Sequence, residues 1–114
     1  MVDITMDIYR LLKQVGRVTL EFPTTGENFP VITLTEVSNI ENYSVEGVER
    51  FSEITYQVDV WDNGDSRKEV ERIACEISRI LTEHEFKRVL GRGFRDPSGL
   101  HRKMMYFKAL ALNK

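Results

Sequence analysis

The stretch from Glu53 to His84 constrains the fold most, because its apolar residues change period halfway along. Apolar and polar residues alternate through Glu53–Trp61, which is typical of a strand with one buried face. A polar turn at 62–65 follows, and apolar residues then recur every three or four positions, as on one face of a helix. Ser66 and Glu69 match a capping box at the start of that helix. The pattern predicts a long helix that lies flat on a sheet.

The rest of the chain supplies one more helix and four more strands. Periodicity predicts a helix from an N-cap at Asp3 to Val15, and strands at about 17–22, 31–37, 87–95 and 100–112. Residues 23–30 contain two prolines and predict a crossover loop, whereas residues 38–50 fit either an extended hairpin or a mobile arm.

Two local features refine this prediction. Gly91 and Gly93 indicate a bulge or a twist in the fourth strand, and Asp96-Pro97-Ser98-Gly99 favours a type I turn that returns the chain as a hairpin. Residues 1–114 therefore predict a single α+β domain. It has a mostly antiparallel sheet of about five strands with two helices packed on one face, in the order α-β-β-β-α-β-β.

The net charge of −2 conceals a strong asymmetry along the chain. Residues 1–86 carry eight basic and seventeen acidic residues, a balance of −9, while residues 87–114 carry eight basic residues and one acidic residue, a balance of +7. Such a division indicates either an electrostatic partner or two oppositely charged surfaces that meet, within one molecule or between neighbours. Mixing of the charges on one folded surface is the simplest alternative.

The sequence offers little equipment for catalysis or for holding a cofactor. His84 and His101 are separated in the sequence, at the end of a predicted helix and the start of a predicted strand. No serine or cysteine lies in a nucleophile turn such as Gly-x-Ser-x-Gly, and the sequence has neither a phosphate-binding loop nor a calcium loop. The single cysteine, Cys75, sits beside Ala74 on the predicted helix, where a buried small hydrophobe is the usual interpretation. We expect no enzyme activity, no metal and no cofactor.

Membrane and nucleic-acid partners receive limited support. No apolar run is long enough to span a bilayer, so no membrane contact is expected. Basic residues cluster after Phe86 with aromatic residues among them, but the pI of about 5.7 is low for a nucleic-acid-binding domain. Non-specific contact with passing DNA is the most that this pattern predicts.

Several segments of the chain form a distinctive combination. They are an N-terminal helix, Phe29-Pro30-Val31-Ile32 after the crossover, Tyr56-Gln57-Val58-Asp59-Val60-Trp61 before a long capped helix, a hairpin around Asp96–Arg102, and a final aromatic strand. Together they resemble the tail-completion or tail-terminator proteins that join heads to tails in long-tailed bacteriophages and prophages. The resemblance spans most of the chain. It implies a structural virion protein at the head–tail junction, made in the cytoplasm of the bacterial host. Such proteins form rings, commonly hexamers, that cap the tail tube, end its polymerisation and enable joining to the head.

The implied partners are further copies of the chain, the tail-tube protein and the head–tail connector proteins. A closed ring needs two different patches that fit each other, and an acidic 36–53 segment facing a basic 87–108 hairpin would supply them. The predicted interface residues are Ile40, Tyr43, Val45, Glu46, Val48, Glu49, Arg92, Arg95, Arg102 and Lys103. A small α+β module that senses a ligand or DNA is the alternative, and it predicts a monomer or dimer stabilised by that ligand.

Overall fold

Two helices and five strands follow one another in the predicted order, α-β-β-β-α-β-β. The computed structural model describes residues 4–20, 28–43 and 50–112. Its elements are α1 (Thr5–Lys13), β1 (Val18–Thr19), β2 (Val31–Tyr43), β3 (Arg50–Asp62), α2 (Lys68–Glu83), β4 (Lys87–Arg95) and β5 (His101–Leu112). The predicted fold class is confirmed. The predicted N-cap, Asp3, lies outside the described residues, as does the end of the strand expected at 17–22.

The five strands form one mixed sheet in the order β1-β2-β3-β5-β4. β1 runs parallel to β2, and every other neighbouring pair is antiparallel. Among the strands of the described residues, β4 pairs with β5 alone, so it forms one edge of the sheet. Among the described residues, β1 pairs with β2 at Ile32 and Thr33 alone, so the opposite edge is divided between the short β1 and the remainder of β2.

Both helices cover the same face of this sheet, which we call the helix face. Ile77 and Leu81 of α2 and Leu12 of α1 are fully buried against the alternate residues of the central strands, such as Tyr56 and Phe107. The predicted apolar stripe of α2 therefore faces the sheet. We call the other side of the sheet the open face.

Two predictions about α2 were wrong. The Ser66 hydroxyl accepts a hydrogen bond from the backbone N–H of Lys68 (3.2 Å), not of Glu69, and the Glu69 carboxylate accepts from Arg72 one turn further on. The reciprocal capping box is therefore absent, because Arg72 competes for the Glu69 carboxylate. Cys75 is exposed, since it lies about 100° around the helix from the buried Ala74.

The β4–β5 hairpin has the predicted turn but a different bulge. The N–H of Gly99 donates to the carbonyl of Asp96 (2.8 Å), and Gly99 has φ +92°, a conformation that favours glycine. The register with β5 shifts between Arg88 and Leu90, so Val89 is the extra residue. The predicted glycine bulge was wrong, because Gly91 and Gly93 both pair regularly with β5.

Residues 38–50 contribute to an extended hairpin, which was one of the two predicted alternatives for this segment. β2 continues to Tyr43 and pairs with β3 in register up to Tyr43 opposite Arg50, after a shift next to Val37. Residues 44–49, at the tip, lie outside the described residues. No helix in the described ranges has both the length and the apolar character needed to cross a membrane.

Candidate assembly surface

The basic residues of the β4–β5 hairpin do not form a single patch, because successive side chains of a strand point to opposite faces. Strand register places Arg92 and Arg102 on the open face, while Arg95 and Lys103 lie on the helix face. The four predicted interface cations are therefore divided between the two sides of the sheet. What each can do depends on its own surroundings.

Arg102 is held inside the molecule by two carboxylates. Its Nε donates to Oδ2 of Asp59 (2.7 Å), one terminal nitrogen also pairs with Asp59, and the other lies 3.1 Å from Oδ1 of Asp96. The Arg102 guanidinium also stacks on two aromatic rings, 4.2 Å from the centroid of Trp61 and 5.3 Å from that of Phe94. The Arg102 side chain is only 14% exposed. Its charge is therefore largely neutralised by these internal contacts, which stabilise the sheet.

The two carboxylates around Arg102 respond differently to their surroundings. Burial raises the pKa of Asp59, and the opposing effects of Arg102 and Gln57 only partly offset it. Burial also acts to raise the pKa of Asp96, but hydrogen bonds from the Ser98 hydroxyl and backbone N–H, together with Arg102, leave it below its ordinary value. The more solvated Asp96 is the better-stabilised anion of the two.

Lys103 and Lys108 are also paired within the chain. On the helix face, the ammonium of Lys103 lies 3.3 Å from the carboxylate of Glu71, which also pairs with Arg67, the residue just before α2. Burial acts to raise the pKa of Glu71, but hydrogen bonds from these two cations outweigh it and lower the pKa. On the open face, Lys108 lies 2.9 Å from Glu53. All three cations of β5 therefore have carboxylate partners within the chain.

Gly93 allows α2 to bring this ion pair close to β4. A methyl group added at Gly93 would lie 1.6 Å from a terminal nitrogen of Arg67 and 3.3 Å from Oε1 of Glu71. The absent side chain thus leaves room for the Arg67 guanidinium directly above the strand. The glycine that we expected to mark a bulge instead permits close helix–strand packing.

The cations of β4 differ from those of β5. Among the residues that the structure describes, Lys87, Arg88, Arg92 and Arg95 form no ion pair with a carboxylate. Arg92 stacks on Phe94 at 5.4 Å, and Arg95 contacts the carbonyl of Gly99 and the ring of His101. The unneutralised positive charge of the hairpin is therefore concentrated along β4, at the edge of the sheet.

Lys87 and Arg88 also belong to this edge. Both lie in the predicted basic 87–108 hairpin, although neither is among the interface residues named from the sequence. Their position follows from the strand order, in which β5 inserts between β3 and β4. One sequence feature could have indicated this excess of positive charge. Asp96 is the only acidic residue after Phe86, so residues within the hairpin cannot neutralise most of its cations.

The acidic side of the predicted interface is only partly described. Ile40 is 54% exposed, and its register with Glu53 and Leu110 places it on the open face. Tyr43 ends β2, and Val45, Glu46, Val48 and Glu49 lie outside the described residues. Leu110 (66%) and Leu90 (42%) are further exposed apolar residues of the open face.

Two other features bear on the alternative functions. A groove of about 670 Å³ lies where α1 and the end of α2 meet β5, with Leu11, Phe86 and Ala109 among its lining residues. A ligand-sensing module would place its ligand in this groove. Within the described ranges, no three His, Cys, Asp or Glu side chains come together to hold a metal ion.

Comparison with known proteins is consistent with this structure. Residues 7–111 match the model of a family described as Tail completion protein gp17. Among solved structures, one similar chain belongs to a structure described as the virion of a native gene transfer agent particle. The two share 10% sequence identity with a TM-score of 0.69, over 93% of this chain and 92% of that one. That similarity shows a shared fold. No curated protein matches the sequence.

Proposed function

The chain belongs to the Tail completion protein gp17 family, and from that premise we propose that it forms a ring at the head–tail junction of a phage-like virion. The ring caps the completed tail tube, ends its polymerisation and enables joining to the head. The family is a structural one, which implies a role without catalysis. The chain with the same fold in a gene transfer agent virion supports a place in the virion here.

The observation that carries this proposal is the row of unneutralised cations on β4. A ring requires that one patch of each subunit fit a different patch of the next, and opposite charges on the two patches would favour that arrangement. Internal carboxylates pair with the cations of β5 but leave those of β4 available. Of the predicted interface residues, Arg92 and Arg95 are therefore the strongest candidates, whereas Arg102 and Lys103 act by positioning the hairpin.

Exposed apolar side chains on the open face provide further support. Ile40, Leu90 and Leu110 are all more than two-fifths exposed on the side of the sheet that the helices leave uncovered. Contact with a neighbouring copy, the tail-tube protein or a connector protein would remove this apolar surface from water. The ring proposed here has these proteins as its partners, with passing DNA as a non-specific contact.

Polymerisation of the tail-tube protein with and without the purified chain tests the capping role. We expect shorter tubes with a ring at one end by negative-stain microscopy when the chain is present, and tubes of unrestricted length without it. Tubes of the same length in both reactions, with no ring at either end, would refute the proposal.

A charge-reversal pair tests the contribution of the predicted interface. In R92E/R95E, Arg102 keeps its internal role, and we expect ring formation to fall by about tenfold or more because the charges at the contact become alike. R10E/R72E makes the same change in net charge at exposed helix positions and should form rings like the parent chain. Equal ring formation by all three proteins would exclude Arg92 and Arg95 from the contact.

A further inference from the structure

β4 presents a strand edge to which the described chain adds no further strand. It is nine residues long, pairs with β5 alone among the described strands, and has exposed or partly exposed side chains throughout. The outer edge of such a strand offers a row of backbone N–H and C=O groups that can pair with another chain. β4 is therefore a template for main-chain hydrogen bonding.

The charges of β4 limit which strand can pair with it. Register with β5 places Lys87 and Arg92 on the open face, and Arg88 and Arg95 on the helix face, so that both sides of the edge are positive. Pairing of β4 with β4 of another copy would place four cations against four. Like charges across a strand pair are destabilising, and opposite charges are stabilising. The edge therefore disfavours pairing with itself and favours an acidic strand.

The other edge of the same sheet has the complementary charge. In the described part of the chain, β1 covers β2 only at Ile32 and Thr33, and no other strand there pairs with the outer side of β2 along residues 34–43. That segment contains Glu36 and Glu41 and has neither lysine nor arginine. One sheet thus ends in a basic edge on one side and an acidic edge on the other.

We propose that β4 of one copy adds as a strand to the 34–43 segment of β2 in a second copy, so that the sheet continues from subunit to subunit. The inference rests on the proposed ring and names the contact that builds it. Because the two edges differ, the contact is heterologous and repeats in one direction until the ring closes. With the helices of both copies on one side, Ile40 and Leu90 lie on the same open face across the junction.

A charge exchange tests the pairing. R88E/R92E leaves β4 with two cations and two anions and so without net charge, and E36K/E41K makes both edges basic. We expect each variant to self-associate about tenfold or more weakly than the parent chain in sedimentation velocity. The exchanged variant K87E/R88E/R92E/R95E/E36K/E41K, in which β4 is acidic and the 34–43 segment is basic, has complementary edges again and should recover self-association. R10E/R72E serves as the control for net charge, and circular dichroism verifies that each variant is folded.

Hydrogen exchange provides a second measurement, because strand addition protects backbone N–H groups. On assembly of the parent chain, we expect slower exchange in peptides that cover 34–43 and 87–95, and little change in α1. Protection confined to other segments, or failure of the exchanged variant to recover self-association, would overturn the inference. A ring seen by microscopy would still leave the proposed function standing.

Two further outcomes separate the remaining possibilities. If R88E/R92E loses binding to a short DNA duplex but self-associates like the parent chain, β4 binds nucleic acid and not a second copy. The inference is then wrong. If the parent chain forms no ring at any concentration, with or without the tail-tube protein, the proposed function fails and the inference fails with it.

Discussion

Arg102 shows how a single residue of a basic cluster can be structural. Its guanidinium fills the space between Asp59 and Asp96 and stacks on Trp61, and its partners lie 43 and 6 positions away in the sequence. A planar, permanently charged group with several donors suits this site, whereas lysine could satisfy only part of it. Reversing Arg102 in an interface experiment would therefore disturb the sheet itself.

Replacement of Arg102 by alanine should leave the carboxylate of Asp59 buried without its main partner. Removal of one partner of a buried ion pair leaves the other charge buried without compensation. We therefore expect R102A to lower the free energy of unfolding by about 3–5 kcal/mol. Urea denaturation followed by circular dichroism measures this change. R92A removes an exposed arginine from the same face and should cost less than about 1 kcal/mol, so similar losses for both variants would contradict the role assigned to Arg102.

Asp96 should make the stability of the chain depend on pH in the acidic range. Because folding lowers the pKa of Asp96 from its ordinary value of 3.8, its charge stabilises the folded state above that pH. The contribution is lost as the pH falls through the lower value of the folded state. We expect D96N to be less stable than the parent chain at neutral pH, and the difference to shrink below pH 3.8. A difference that stays constant over this range would contradict the assignment.

At the scale of the elements, α2 ends with a residue other than glycine in the left-handed conformation. The N–H of Phe86 donates to the carbonyl of Leu81 (2.9 Å), and that of Glu85 donates to Thr82 (3.1 Å), which is the Schellman pattern. Glu85 occupies the left-handed position of this motif with φ 68°, where glycine is the common residue. The end of α2 is therefore strained at one residue.

Substitution of Glu85 by glycine should relieve this strain. We expect E85G to raise the free energy of unfolding by about 0.5–1 kcal/mol, because the relief at a left-handed position exceeds the extra entropy of glycine in the unfolded chain. E85A removes the same charge but keeps the Cβ atom, and it should gain less. Thermal and urea denaturation of the three proteins measure both effects. A loss of stability in E85G would contradict the assigned conformation.

The elements were predictable from the sequence where one periodicity persisted over many residues. The alternation in β3 and the apolar stripe of α2 each depend on local spacing, so both could be predicted without tertiary contacts. The pairing of Asp59 with Arg102 depends on the register between β3 and β5, which no local pattern encodes. Cys75 was misplaced because one step along a helix moves a residue by about 100°, away from its buried neighbour.

At the scale of the whole molecule, strand order converts a charge asymmetry along the sequence into one across the sheet. Insertion of β5 between β3 and β4 pairs the cations of β5 with carboxylates and leaves those of β4 at the edge. The net charge of −2 gives no indication of this arrangement. The proposed assembly depends on the opposite charges of the two sheet edges, which lie on opposite sides of the molecule.

Self-association through these edges should weaken as salt is added. Between about 50 mM and about 500 mM NaCl the Debye length shortens severalfold, so attraction between exposed charges on neighbouring copies is increasingly screened. We expect the dissociation constant of the parent chain, measured by sedimentation velocity, to rise by about tenfold or more across this range. R88E/R92E, which lacks the attraction, should show a much smaller dependence on salt. If association instead strengthens with salt, burial of Ile40, Leu90 and Leu110 drives assembly, and the charges of β4 serve only to orient the contact.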